Sequence, residues 1–217
     1  MPHKRSRPGR PSISVDRVID AAVELVDELG PADFSMRVLA QRLESSTATL
    51  YRHFAGKDAI LIHVVDRVLG EAPRHVVDLP DDSTWQERLI AGAEALFRTL
   101  QQHPNVVPLF DNHVPLGPHG LAGREAAIGI LLASGFPPDI AARAYTAIGH
   151  YVIGFAGQLR GGDSTDTHQD LSDFYRSLDP AHYPATVTSA SFLPNSLDEE
   201  FRFGLQLLVD GLARHLS

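Results

Sequence analysis

The chain lacks cysteine altogether and carries only one tryptophan and two methionines among its 217 residues. The absence of cysteine excludes disulfides, thiolate zinc clusters and thiol nucleophiles, and it suits a reducing compartment. No apolar run approaches the roughly 20 residues needed to cross a bilayer, and the basic N-terminus is not followed by an apolar signal core. The expectation is a soluble, cytoplasmic protein with no membrane partner. β-Hairpin signals and internal repeats are missing, as are H-E-x-x-H, G-x-x-x-x-G-K-[ST] and G-x-S-x-G. No catalytic residue set and no cofactor is therefore expected.

What is present is an ordinary globular composition, 43% apolar and 21% charged, with an uneven charge. The total is −8, yet residues 1–68 hold ten Lys and Arg against nine Asp and Glu, whereas the remainder holds nine against eighteen. Four cations and no acid fall in the first ten residues. That asymmetry points to an anionic partner for the N-terminal part, either nucleic acid or acidic lipid.

From Val15 the apolar residues Val18, Ile19, Ala22, Leu25, Val26 and Leu29 recur at three- and four-residue steps, as on one face of a helix. Ser14 can cap its start, and Gly30-Pro31 ends it. A short segment from Ser35 turns Met36, Leu39, Ala40 and Leu43 inward. A third, Thr47 to His53, can be capped by Ser46, with Leu50 and Phe54 assigned to the core. A fourth helix follows Gly56, striped by Ile60, Leu61, Val64, Val65 and Val68. Two short helices carried on longer neighbours form the helix-turn-helix arrangement, whose second member enters the DNA major groove. Outside the apolar pattern, Arg37, Thr47, Thr49, Tyr51, Arg52, His53 and Lys57 offer donors, and no acid lies between Ser45 and Lys57.

The run from Phe34 to Ala40, followed by Thr47-Ala48-Thr49-Leu50-Tyr51-Arg52-His53-Phe54-Ala55-Gly56-Lys57-Asp58, resembles the DNA-binding domain of the tetracycline-repressor-like (TetR) family of bacterial transcriptional regulators. The turn departs from the family pattern, with Glu44 and Ser45 where Gly and an apolar residue are usual. The resemblance implies that Thr47, Ala48, Thr49 and His53 line the base-reading side, with Arg37 reaching guanine from the second helix. It implies phosphate contacts from Tyr51, Lys57 and the amides opening the fourth helix, with Arg52 beside them. For Tyr51 a core position holding the third helix is the alternative. Ahead of the first helix, Arg7 and Arg10 belong to an extended Arg-Pro-Gly-Arg-Pro arm that either enters a minor groove or remains a solvated tail.

Beyond residue 69 helical patterning resumes at Ser83 and runs to His103-Pro104. It returns near Leu121–Ser134 and Pro138–Leu159, and once more from Leu197 to Leu216. Residues 160–196 read as a long loop with one short helix near Leu171–Leu178. The stretches around Ala147–Gly154 and Phe201–Leu212 resemble the two dimer-forming helices of the tetracycline-repressor branch. Ile148, Gly149 and Val152 on one, and Phe201, Leu205, Leu208 and Leu212 on the other, are then the expected homodimer interface. The alternative is that this stripe faces the chain's own core. By the same resemblance a small effector sits among the helices, lined by Trp85, Phe97, Leu100, Phe110, His113, Leu131 and Tyr145.

Matching to the branch places Phe110 at a ligand histidine and Gln158 at a ligand glutamate, so a magnesium-chelated drug is disfavoured and no metal is expected. The expected fold class is all-α. A basic arm (1–13) precedes a three-helix helix-turn-helix DNA-binding domain (14–68), and a helical effector-binding and dimerisation domain (69–217) follows. The expected function is a ligand-responsive regulator, a repressor, that binds a palindromic operator in double-stranded DNA as a homodimer and is released by a small, largely apolar effector. The alternative is a small-molecule-binding protein or enzyme that uses the C-terminal pocket, its DNA-binding part vestigial.

Overall fold

A computed structural model describes residues 13–75, 79–111, 113–159 and 165–216, and contains no strand among them. The N-terminal head comprises α1 (Val15–Asp33), α2 (Met36–Arg42), α3 (Thr47–Tyr51) and α4 (Lys57–Leu69). The body comprises α5 (Trp85–Gln102), α6 (Pro118–Ala133), α7 (Pro138–Gln158), α8 (Thr165–Ser177), α9 (Pro184–Ser189) and α10 (Leu197–Leu212).

Side-chain caps set most of the helix starts. Ser14, Ser35 and Ser46 accept the third backbone amide beyond them at 3.2–3.3 Å. Thr84–Glu87 and Ser196–Glu199 form reciprocal capping boxes at α5 and α10. In α1 the helix is broken at Gly30, whose φ of 78° only glycine adopts cheaply, and Pro31 opens one further turn. The 160–196 stretch holds more helix than its composition suggests. Besides α8 it forms α9, started by Pro184, and a 3₁₀ turn over Ala190–Phe192.

Two apolar cores organise the chain. α1 and α4 pack around Val18, Ala22, Leu25, Val26, Ile60, Val64 and Val68, and α2 and α3 close that core with Leu39 and Leu50. The second core lies among α5, α6, α7 and α10. The proline-interrupted segment after α5 serves both. Val106 and Leu109 are buried in the head core, Val107 in the body core, and Phe110 packs against each. Residues that the sequence pattern allots to the C-terminal part thus complete the N-terminal one.

A second joint lies between α4 and α6. The buried carboxylate of Asp66 accepts the Gly120 amide at 2.9 Å, occupying the positive end of α6. Gly117 lies so close that a Cβ there would sit 2.2 Å from Asp66 Cγ.

Candidate nucleic-acid interface

α3 has five residues, and Leu50 is the one it buries. Phe54, just beyond, is also buried and meets His63 edge-on at 5.6 Å. These two anchors hold the short helix against the head and leave its other side chains outward. Thr47, Ala48, Tyr51, Arg52 and His53 are exposed, Thr49 is half-buried with its hydroxyl 3.0 Å from Ser46 Oγ, and Arg37 is exposed on α2. Tyr51 is 56% exposed, so it is not the core aromatic that sequence left as an alternative. At the start of α4, Gly56 supplies no capping side chain to the first-turn amides. Arg7 and Arg10 lie outside the described residues.

The turn between α2 and α3 keeps helix-turn-helix geometry despite its unusual sequence. Ser45 N donates to Ala40 O at 2.8 Å and Glu44 N to Gln41 O at 3.0 Å, the paired bonds of a Schellman closure. That closure puts Glu44 in the left-handed region at φ 48°, the position where glycine is usual. Glu44→Gly is therefore expected to stabilise the protein by up to about 1 kcal/mol and to raise Tm by roughly 2–3 °C, read by thermal unfolding. A lowered Tm would show that Glu44 contributes more through its contacts than its backbone costs.

Tertiary pairing removes cations that a sequence count credits to this face. Arg42 binds Glu28 through both terminal nitrogens and approaches Glu24 at 3.5 Å, tying α2 to α1. The hydrogen bond to Arg42 holds the Glu28 carboxyl below the ordinary range, and the Glu28 bond raises Arg42 in turn. Arg67 joins α4 to Asp16 and Asp20. Arg37 and Arg52 make no such pair among the described residues and flank α3.

Lys57, which the resemblance assigns to phosphate, is engaged within the head. Its half-buried Nζ donates to the Pro31 carbonyl at 2.7 Å and lies 6.0 Å from the Phe34 ring centre. As the first residue of α4 it faces the end of α1, where a carbonyl left over after the Gly30 break needs a donor. Lys57→Met is expected to lower stability by about 1–2 kcal/mol and to leave the salt slope of DNA binding unchanged. A slope reduced by about one would restore Lys57 to the phosphate set.

In the body, Phe97 alone of the expected effector residues lines either of two cavities among the described residues. Leu100 and Leu131 are wholly buried, Phe97 stacks on Phe201 at 4.0 Å, and Trp85 meets Phe136 edge-on at 4.9 Å. Phe110 and His113 are half-buried, and Tyr145 lies under Arg124 at 5.6 Å. Phe97, Leu100 and Leu131, with Trp85 and Phe110 against them, belong to the apolar core among α5, α6, α7 and α10. A cavity of about 230 Å³ opens instead between α5 and α10, touching Phe97 and Phe201 but otherwise walled by Glu94, Arg98, Asp198 and Arg202. Another, of about 460 Å³, lies at the head–body junction, where Asp20, Glu71, Arg67, Arg74 and His119 put both signs of charge on its wall.

Four of the seven expected dimer residues face the chain's own core instead. Ile148, Val152, Phe201 and Leu205 are buried in the chain's own core, Gly149 and Leu212 are half-buried, and Leu208 is exposed. α10 turns Phe201, Leu205 and Val209 toward α5 and α7, because that four-residue stripe is continuous with their apolar faces. Its opposite side carries Phe203 and Leu207, 69% and 56% exposed, which the sequence reading passed over. Their four-residue spacing, offset by two from the buried stripe, was the available signal.

Residues 18–64 match the family model described as bacterial regulatory proteins of the tetR family, and residues 78–216 match the tetracyclin repressor-like C-terminal domain. An HTH-type transcriptional regulator of Saccharopolyspora erythraea is 34% identical, covering 98% of this chain and 89% of that one. The HTH-type transcriptional repressor DrrR1 of Streptomyces coeruleorubidus is 30% identical over 95% of this chain and 80% of its own. The crystal structure of the TetR family protein ActR from Streptomyces coelicolor, in complex with actinorhodin, superposes with a TM-score of 0.82 at 28% identity, covering 94% and 99% of the two chains.

Proposed function

The chain belongs to the TetR family of bacterial transcriptional regulators and is a ligand-responsive, DNA-binding regulator acting as a homodimer; from that premise we propose which of its surfaces do the work. In this reading the arm (1–13) and head (14–68) hold operator DNA, and the body (69–217) receives the effector and pairs with a second copy. Thr47, Ala48, Thr49 and His53 face base edges, while Arg37, Tyr51, Arg52 and the arm's Arg7 and Arg10 meet bases or phosphates.

The observation that carries this is α3 itself: one buried anchor, and an outward surface without a single acid. Twofold pairing sets two such helices against successive major grooves of a palindromic site. The exposed Phe203 and Leu207 on α10 support pairing through that face rather than through the buried stripe. A repressor released by a small, largely apolar effector is the regulatory sense we favour. It draws on the named repressor among the relatives and on the ligand complex of ActR.

The effector would enter by parting the ring contacts of Phe97 with Phe201 and of Trp85 with Phe136 in the body core. No catalytic step is assigned. Among the described residues no helix is long and apolar enough to cross a membrane, and a regulator of this kind works in the cytoplasm beside the DNA.

A titration of the purified dimer against DNA flanking its own coding sequence, over a salt series, tests the reading. Saturable binding with a steep salt slope and a protected palindrome is expected. A folded dimer that binds such DNA no better than random sequence would overturn it.

A further inference from the structure

His103 ends α5 and stands where the body meets the head. Its Nδ1 lies 2.7 Å from Asp27 Oδ2 on α1, and its Nε2 lies 3.4 Å from Glu71 Oε2 just after α4. A neutral imidazole carries one proton, so it can donate to one of these carboxylates and must turn a lone pair toward the other. Only the imidazolium donates to both. The surroundings make the demand firm. Asn105 Nδ2 holds the Asp27 carbonyl at 2.8 Å, and the other Asp27 carboxylate oxygen is buried with no hydrogen-bond partner among the described residues. The 3₁₀ turn Ala72–His75, which follows Glu71, packs closely on α5.

We propose that His103 is a proton-operated latch between the DNA-reading head and the effector-binding body, closed when the ring is cationic and bridges Asp27 and Glu71, and open when it is neutral. The proton is then a second input to a regulator whose first is its small ligand. Loss of the proton leaves the shorter Asp27 bond in place and turns the ring's lone pair on Glu71, so the bond from Glu71 to the end of α5 is lost and that attachment rests on the packing of Ala72–His75 alone. The bond from Gly120 of α6 to Asp66 of α4 and the Val106–Leu109 plug still join the two parts, so opening loosens the head without detaching it.

Among the described residues, Arg67, Arg74, Asp20 and His119 share a cavity wall with Glu71. Arg67 is already paired with Asp16 and Asp20, so it does not compete for Glu71. The hydrogen bond to Asp27, more than the opposing burial, raises the His103 pKa above its ordinary 6.5, and Glu71 adds to the rise. The latch's contribution is therefore complete below about 6.5 and is lost as pH rises through that raised value.

The proposal builds on the regulator reading, yet it can be tested without DNA or ligand. Because the chain has no cysteine, the pair Gln41→Cys and Asp139→Cys labels one head and one body site without background. Doubly labelled chains diluted into unlabelled protein report the head–body distance by single-molecule energy transfer, whether or not the protein binds an operator. A single narrow distribution is expected at pH 6, with a broader or second population growing by pH 9. The midpoint should match that of the His103 Cε1–H resonance in an NMR titration. His103→Gln should give the same distribution at both pH values, and Asp27→Asn should lower the NMR midpoint. Should His103→Gln not fold, Glu71→Gln, which removes one acceptor at an accessible position, is expected to abolish the pH dependence. A wild-type distribution that ignores pH while His103 titrates, or a pH dependence that survives both substitutions, would overturn the latch.

Discussion

Replacing Phe201 by Ala is expected to cost about 3–5 kcal/mol of folding stability, the usual loss for a fully buried phenylalanine whose cavity cannot close. The ring is 1% exposed and sits where three others meet. Phe97 stacks on it at 4.0 Å and 12°, Tyr151 lies at 5.5 Å, and Phe155 meets it edge-on at 5.8 Å. Tyr151 also donates its hydroxyl to the Phe201 carbonyl at 2.8 Å, pinning α7 to α10. The three remaining rings, held on α5 and α7, cannot all shift inward, so the hole persists. Urea unfolding would show the loss as a lower midpoint with little change in slope.

Leu207→Asp is the matched control on the outer face of α10. It should leave the secondary structure intact while weakening self-association, seen by sedimentation at a series of concentrations. The reverse pattern, a folded monomer from Phe201→Ala and an unfolded chain from Leu207→Asp, would return the interface to the stripe first assigned from sequence.

The two halves of α10 show why some features were legible and others were not. In the head, α1, α2 and α3 announce themselves by serine caps and α4 by one dominant apolar stripe, so the burial of Leu50 and Phe54 is legible from spacing alone. α10 carries apolar residues on two sides, and spacing says only that two stripes exist. Which of them meets α5 and α7 depends on partners far away in sequence, such as Phe97 and Tyr151. The same limit applies to Lys57, Arg42 and Arg67. Their donors were visible, but the Pro31 carbonyl, Glu28, Asp16 and Asp20 that occupy them are brought near only by packing α1 against α2 and α4. Val106 and Leu109 sit between prolines without periodicity, so nothing local betrays that they complete the head core. His103 appears in the sequence only as the end of a helical stretch. Its two carboxylate neighbours lie 76 and 32 positions away, beyond any motif.

Ala48→Glu is expected to reduce operator affinity at least about 100-fold while leaving the head as stable as before. Ala48 is exposed at the second position of α3, where a carboxylate faces the favourable end of the helix dipole and glutamate is nearly as good a helix former as alanine. Folding should therefore tolerate the change, and a retained Tm separates it from a merely disruptive substitution. On DNA the same carboxylate would be driven toward base acceptors and phosphates in a groove of strongly negative potential, and like charges so placed cost several kcal/mol. The dimer meets the penalty twice, once in each half-site. Ala48→Lys at the same position should do the opposite, tightening binding to any duplex and steepening its salt slope at the expense of discrimination. Anisotropy titrations of both variants at two salt concentrations check the pair. If Ala48→Glu changed affinity by less than about threefold, α3 would not be the element that enters the groove, and the acid-free surface around it would need another explanation.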